Sequence, residues 1–172
     1  MIKYLIISLI LFVASLGFAN PQLDYVRQNY DKAVDDKALT EKLLVYIKEN
    51  KLTTASAFAY RGALEALQAK HESNPFNKLD YVKISQATFE KAAAAAPDNI
   101  DVRIFRFMIE SKMPSYLGYN KHITEDKNKI VALLNTDKIK LDVYQKNYLY
   151  HITKICKLTV EEKAIILKHA KS

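Results

Sequence analysis

The side chains of this 172-residue chain whose ordinary pKa values lie nearest to neutral pH are four histidines and one cysteine. His71 and His122 each lie in a polar stretch, HESNPFN (71–77) and MPSYLGYNKH (113–122). An imidazole there can give or take a proton near pH 7, but no nucleophile or carboxylate is spaced to form a dyad with either. His122, Glu125 and Asp126 stand at i, i+3 and i+4, a spacing that puts three ligand types on one helix face. Two carboxylates in a helix's first turn also complement its dipole without any metal; that reading is adopted, and no metal or other cofactor is expected. Cys156 sits in an apolar helical pattern and reads as a buried thiol. Being the only cysteine, it leaves no intrachain disulfide. The chain contains no G-x-S-x-G, H-E-x-x-H, phosphate loop or C-x-x-C. An enzyme would have to be assembled from residues far apart in sequence.

Those residues must be held by helices. The chain has three glycines and four prolines, and its apolar residues recur at helical spacing with no strict alternation. The pattern predicts an all-α fold with helices over about 22–34, 36–50, 54–70, 78–96, 99–112, 121–135, 140–157 and 159–170. In the third, Ala55, Phe58, Ala59, Gly62, Ala63, Ala66 and Leu67 form one stripe of mostly small residues, which lets a neighbouring helix approach closely. The fourth, capped by Asn77, ends in five alanines and is stopped by Pro97. Asp98 or Asn99 then caps the fifth, which is apolar on two sides and must lie between neighbours. Thr159 and Glu162 form a capping-box pattern at the start of the last. Successive helices joined by short turns pack antiparallel, so eight helices make four pairs, a periodicity that suggests a stacked array.

The segment FEKAAAAAPDN, with Phe89, Ala92 and Pro97, resembles the end of a tetratricopeptide (TPR) repeat, and Gly62 with Ala63 resembles the small pair midway along such a repeat's first helix. The resemblance covers residues 54–97 and implies a short α-solenoid that binds other proteins. HESNPFN and MPSYLGYN are longer than the turn of a standard repeat. Residues 60–130 are also similar to a group of uncharacterised exported proteins of Bacteroidetes-type bacteria, a likeness that transfers no site residues.

Residues 1–19, MIKYLIISLILFVASLGFA, have the positive start, apolar run and small residues at the −3 and −1 positions of a secretory signal peptide, with cleavage expected after Ala19. The alternative is a retained anchor, for which the run is shorter than the ~20 apolar residues of a spanning helix. The expectation is an exported chain, periplasmic or secreted, with residues 20–172 as a single TPR-like domain. The net charge is +7, and residues 138–172 carry 8 basic and 3 acidic side chains. This asymmetry suggests a weak contact with anionic surfaces, beside the plainer reading of a solvated lysine-rich face. Nucleic acid is not expected as a partner, since no recognition motif occurs.

Two binding surfaces are expected. In stacked pairs, equivalent turns line up on one edge. That edge would bring together His71, Asn74 and Phe76 with Tyr116, Tyr119, Asn120 and His122; alternatively the aromatics cover the core and the asparagines cap helices. The second is a groove lined by first helices, with Tyr60, Leu64 and Gln68 from one pair and Arg103, Arg106 and Glu110 from the next. Alternatively Arg106 and Glu110, at i and i+4, pair with each other. The expected function is a non-catalytic protein-interaction module with an unidentified protein or peptide partner. The alternative is an envelope enzyme or small-molecule binder around His71 and His122.

Overall fold

Side-chain caps set most of the helix starts. The computed structural model describes residues 20–136 and 138–171, so the signal-peptide expectation falls outside the described residues. Eight α-helices are found among them: α1 Pro21–Ala33, α2 Lys37–Glu49, α3 Ala55–His71, α4 Pro75–Ala95, α5 Ile100–Glu110, α6 Ile123–Leu134, α7 Val143–Ile155 and α8 Val160–Ala170. No strand occurs among the described residues. Asn20, Asp36, Thr54, Asn74, Asn99, Asp142 and Thr159 each accept a backbone N–H at the start of their helix, satisfying donors that have no partner inside it. The capping box of Thr159 and Glu162 forms as expected, and Asp142 with Gln145 makes a second one.

One boundary differs in a way that changes the architecture. α4 begins at Pro75 rather than Lys78, capped by Asn74 rather than Asn77. Proline fits the first helical position, where its missing N–H is not needed. HESNPFN is therefore no long insertion: only residues 72–74 separate α3 from α4. Glu72 braces that turn by accepting the backbone N–H groups of Ser73 and Asn74 at 2.8 and 2.9 Å. The α5–α6 connection is longer, residues 111–122, with a 3-10 turn at Ser115–Leu117. It closes on Gly118 at φ 69°, a left-handed conformation that glycine adopts without a Cβ penalty.

The helices pack as four antiparallel pairs, α1/α2, α3/α4, α5/α6 and α7/α8. First helices also pack on one another, α1 on α3, α3 on α5 and α5 on α7, while α2 packs on α3, α4 on α5 and α6 on α8. The tightest seam is α3 on α4. A Cβ added at Gly62 would stand 3.0 Å from Cζ of the buried Phe89 ring, and Ser85 Oγ donates to the Gly62 carbonyl at 2.7 Å. The small-residue stripe thus does what close approach requires. Of the five alanines, Ala92 and Ala93 are buried and Ala94 and Ala95 are exposed, so only the start of that run answers to crowding.

The array curls until side chains of its first and last helix pairs meet. Tyr30 of α1, Tyr60 of α3, Phe105 of α5 and Tyr148 of α7 form one aromatic cluster with ring centroids 4.7–6.3 Å apart. Tyr148 Oη donates to Asp31 Oδ1 at 3.1 Å, and Arg27 reaches Asp142 at 3.3 Å, tying α1 to α7 directly. Burial raises the phenol pKa values of all three tyrosines above their ordinary range. Where an open solenoid would show one continuous concave groove, this chain has an aromatic core with a cleft of about 370 Å³ between α1, α3, α5 and α7 beside it.

Candidate functional site

That closure corrects the expected first-helix groove. Tyr60 and Leu64 are fully buried, and Arg103, Arg106 and Glu110 are at most 3% exposed. The polar stripe of α5 faces α6. Asp126 of α6, itself fully buried, accepts from Arg106 Nε, Arg106 Nη2 and Arg103 Nη1, each at 2.7 Å. Glu125 accepts from both arginines at the rim; the Arg103 hydrogen bond is the main cause of its carboxyl being held below the usual glutamate range. Glu110 does not pair with Arg106 four residues earlier. Its two oxygens accept the His122 backbone N–H and bond Nδ1 of the same residue, both at 2.7 Å. Gln86 of α4 donates to Glu110 at 3.5 Å and to the Tyr119 carbonyl at 3.0 Å. Residues expected at two surfaces, Arg103, Arg106 and Glu110 at one and Tyr119 and His122 at the other, thus enter one buried ionic seam that fastens α6 and its loop to α5.

The expected loop edge is divided. His122 faces Glu110, whereas His71 Nε2 lies 3.3 Å from the Ala33 carbonyl on α1. Asn74 is taken up as the α4 cap. Phe76 and Tyr116 are 77% and 86% exposed, so they do not cover the core; Asn120 is half-buried beside the cap position of α6, which His122 occupies. With Glu125 and Asp126 engaged by arginines and His122 by Glu110, the i, i+3, i+4 set is already committed. No group of three metal-ligating side chains occurs among the described residues. Cys156 is half-buried, and burial pushes its thiol up, which opposes nucleophilic use.

A larger concavity lies elsewhere. α2 and α4 straddle α3 without closing over it, leaving a groove of about 600 Å³. Its walls are Leu44 and Val45 of α2, Leu52 of the following turn, Phe58 of α3 and Ile84 of α4. Val45 and Ile84 are 52% and 46% exposed, unusual for β-branched aliphatics on helices that already bury another face. The floor is polar and internally satisfied. Glu65 is buried and accepts from Arg61 Nε at 2.7 Å and from Thr88 Oγ1 at 2.6 Å, so both oxygens are occupied. Lys48, Lys51 and Arg61 line the groove, and Lys91 stands 6.0 Å from the Phe58 ring centroid. Glu65 is the only carboxylate in the lining, so the groove is basic. Gln68 also lines a small adjoining hollow with His71, Glu72 and Tyr81, bringing the expected His71 and Gln68 to one end of this surface.

Comparison with known protein families, characterised proteins and solved structures finds no significant match, so the site is read from its own residues.

Neither Val45 nor Ile84 is among the expected site residues, although the sequence carries a signal for both. Val45 is two residues from Leu43 and from Ile47, about 200° around the helix from each, and so lies opposite the core face. Ile84 stands in the same relation to Val82 and Gln86. An apolar residue repeated on a polar face marks a second contact surface.

Proposed function

We propose that this chain is a non-catalytic, exported protein-interaction module of TPR-like design, and that its α2–α3–α4 groove takes a peptide segment carrying apolar side chains flanked by carboxylates. The observation that carries the reading is the groove itself: exposed Val45 and Ile84 facing each other across α3, ringed by Lys48, Lys51, Arg61 and Lys91. Apolar walls supply binding energy through area removed from water. The cations favour acidic partners and speed their encounter. The order of helix contacts, first helix on first helix, supports the TPR-like reading, and the character of residues 1–19 supports export to the periplasm or medium. Among the described residues no helix is long and apolar enough to cross a membrane.

The test is selection of peptides from a random displayed library on the full chain, followed by calorimetry with synthetic peptides. Enriched sequences should combine aliphatic or aromatic residues with Asp or Glu. Val45→Glu with Ile84→Glu should weaken binding at least tenfold while leaving the melting temperature within a few degrees, since both side chains are about half exposed. Peptides without acidic residues, or affinity unmoved by the double substitution, would refute the groove.

A further inference from the structure

We infer a second, separate contact surface: the outward face of α7 rests on an anionic lipid headgroup layer. Val143, Lys146, Asn147, Tyr150 and Lys154 fall within an arc of about 100° at helical spacing. That arc lies opposite the buried Ile152 and is mostly exposed, Val143 at 62% and Tyr150 at 43%. Lys154 Nζ stands 4.9 Å from the Tyr150 ring centroid, so aromatic and cation share one patch. Lys157 follows directly after the helix and is exposed.

The charge of this region is not neutralised from within. Residues 138–171 hold eight lysines, and none pairs with a carboxylate among the described residues. The three acids do not compensate: Asp142 is engaged by Arg27 at 3.3 Å and Glu162 by Lys127 at 2.8 Å, which leaves only Glu161, on α8. A surface of uncancelled lysines is drawn to negative charge.

Shape decides which kind. The patch is the convex side of a helix. A cleft of about 370 Å³ between α1, α3, α5 and α7 is lined from α7 by Tyr148, His151 and Ile155, none of which belongs to the arc. A dissolved anion needs a cradle of converging donors; a headgroup layer needs only a plane. Tyrosine and lysine suit that plane, because each has an apolar body that enters the interface and a polar tip that stays wet. Each lysine brought to an anionic surface strengthens partition by about fivefold.

The experiment is co-sedimentation of the full chain with vesicles of phosphatidylcholine alone and of phosphatidylcholine mixed with phosphatidylglycerol. Residues 1–19 are common to every variant, and their contribution is read from the neutral vesicles. The ratio of anionic to neutral partition should exceed one and fall steeply with salt. Replacing Lys146, Lys154 and Lys157 together by glutamine should lower that ratio by about a hundredfold, whereas Tyr150→Ala should weaken partition onto both kinds of vesicle, with helical circular dichroism unchanged in each. A ratio that the triple substitution leaves intact overturns the inference. So does full competition by a soluble acidic protein at low concentration, which would make a protein the occupant instead.

Discussion

Asp126→Asn puts the buried ionic seam to the sharpest test. The wild-type carboxylate accepts three guanidinium hydrogen bonds at 2.7 Å, and the arginine side chains that make them are 3–4% exposed. Asparagine keeps the shape but removes the charge and turns one acceptor into a donor facing a donor. Glu125, 55% exposed, is then the only carboxylate still hydrogen-bonded to the two buried cations. Removing one partner of a buried pair costs about 3–5 kcal/mol, which for a chain of this size lowers the melting temperature by about 6–20 °C. Thermal and urea unfolding followed at 222 nm measure both quantities. Arg106→Met alone should also destabilise, and the double variant should lose at least about 1 kcal/mol less than the sum, because the two side chains act as one unit. A melting shift under about 2 °C for Asp126→Asn would mean that water reaches the seam and that the burial argument fails.

Gly62→Ala gains about 1 kcal/mol of helix propensity but sets a methyl 3.0 Å from Phe89. The two effects should nearly cancel, and in a Phe89→Leu background the same change should stabilise; no difference between backgrounds in urea unfolding would refute the contact. Asp101 is buried, and burial, outweighing hydrogen bonds and Arg27 at 3.5 Å, lifts its pKa above 3.8. A raised carboxyl binds its proton more readily folded than unfolded, so its contribution to stability declines as pH rises through that window. Asp101→Asn should therefore leave stability at pH 7 equal or higher, and a loss above about 2 kcal/mol would contradict this. Glu125, Glu72 and Glu162 have the opposite sign. Their carboxyls are held below 4.5, chiefly by Arg103, the Asn74 backbone N–H and Lys127 respectively. The stability they contribute is present above pH 4.5 and lost on acidification through their lowered values, which a melting series from pH 7 to pH 3 would display.

The all-α class, the helix count and most boundaries were legible in the linear order of residues, because caps, prolines and 3.6-residue periodicity act within a few positions of the chain. Thr159 with Glu162 and Pro97 with Asn99 needed no tertiary information. Gly62 announced close packing for the same reason: a missing side chain matters only if something approaches. Pro75 was ambiguous locally, since proline both ends loops and begins helices, and that ambiguity moved the α4 boundary by three residues.

What the fold alone decided is how far the array curls. Tyr30, Tyr60, Phe105 and Tyr148 are spread over more than a hundred residues, and nothing in their spacing says that four first helices converge on one cluster. Once they do, the Tyr60 face becomes interior, while Arg103 and Arg106, on the side of α5 that faces α6, find Asp126 rather than a ligand. The open groove forms between α2 and α4 because both pack on α3 and not extensively on each other. Caps and periodicity are short-range and survive in the sequence; closure is a sum of many weak long-range contacts, and only the assembled structure reveals which side of each helix it leaves to solvent.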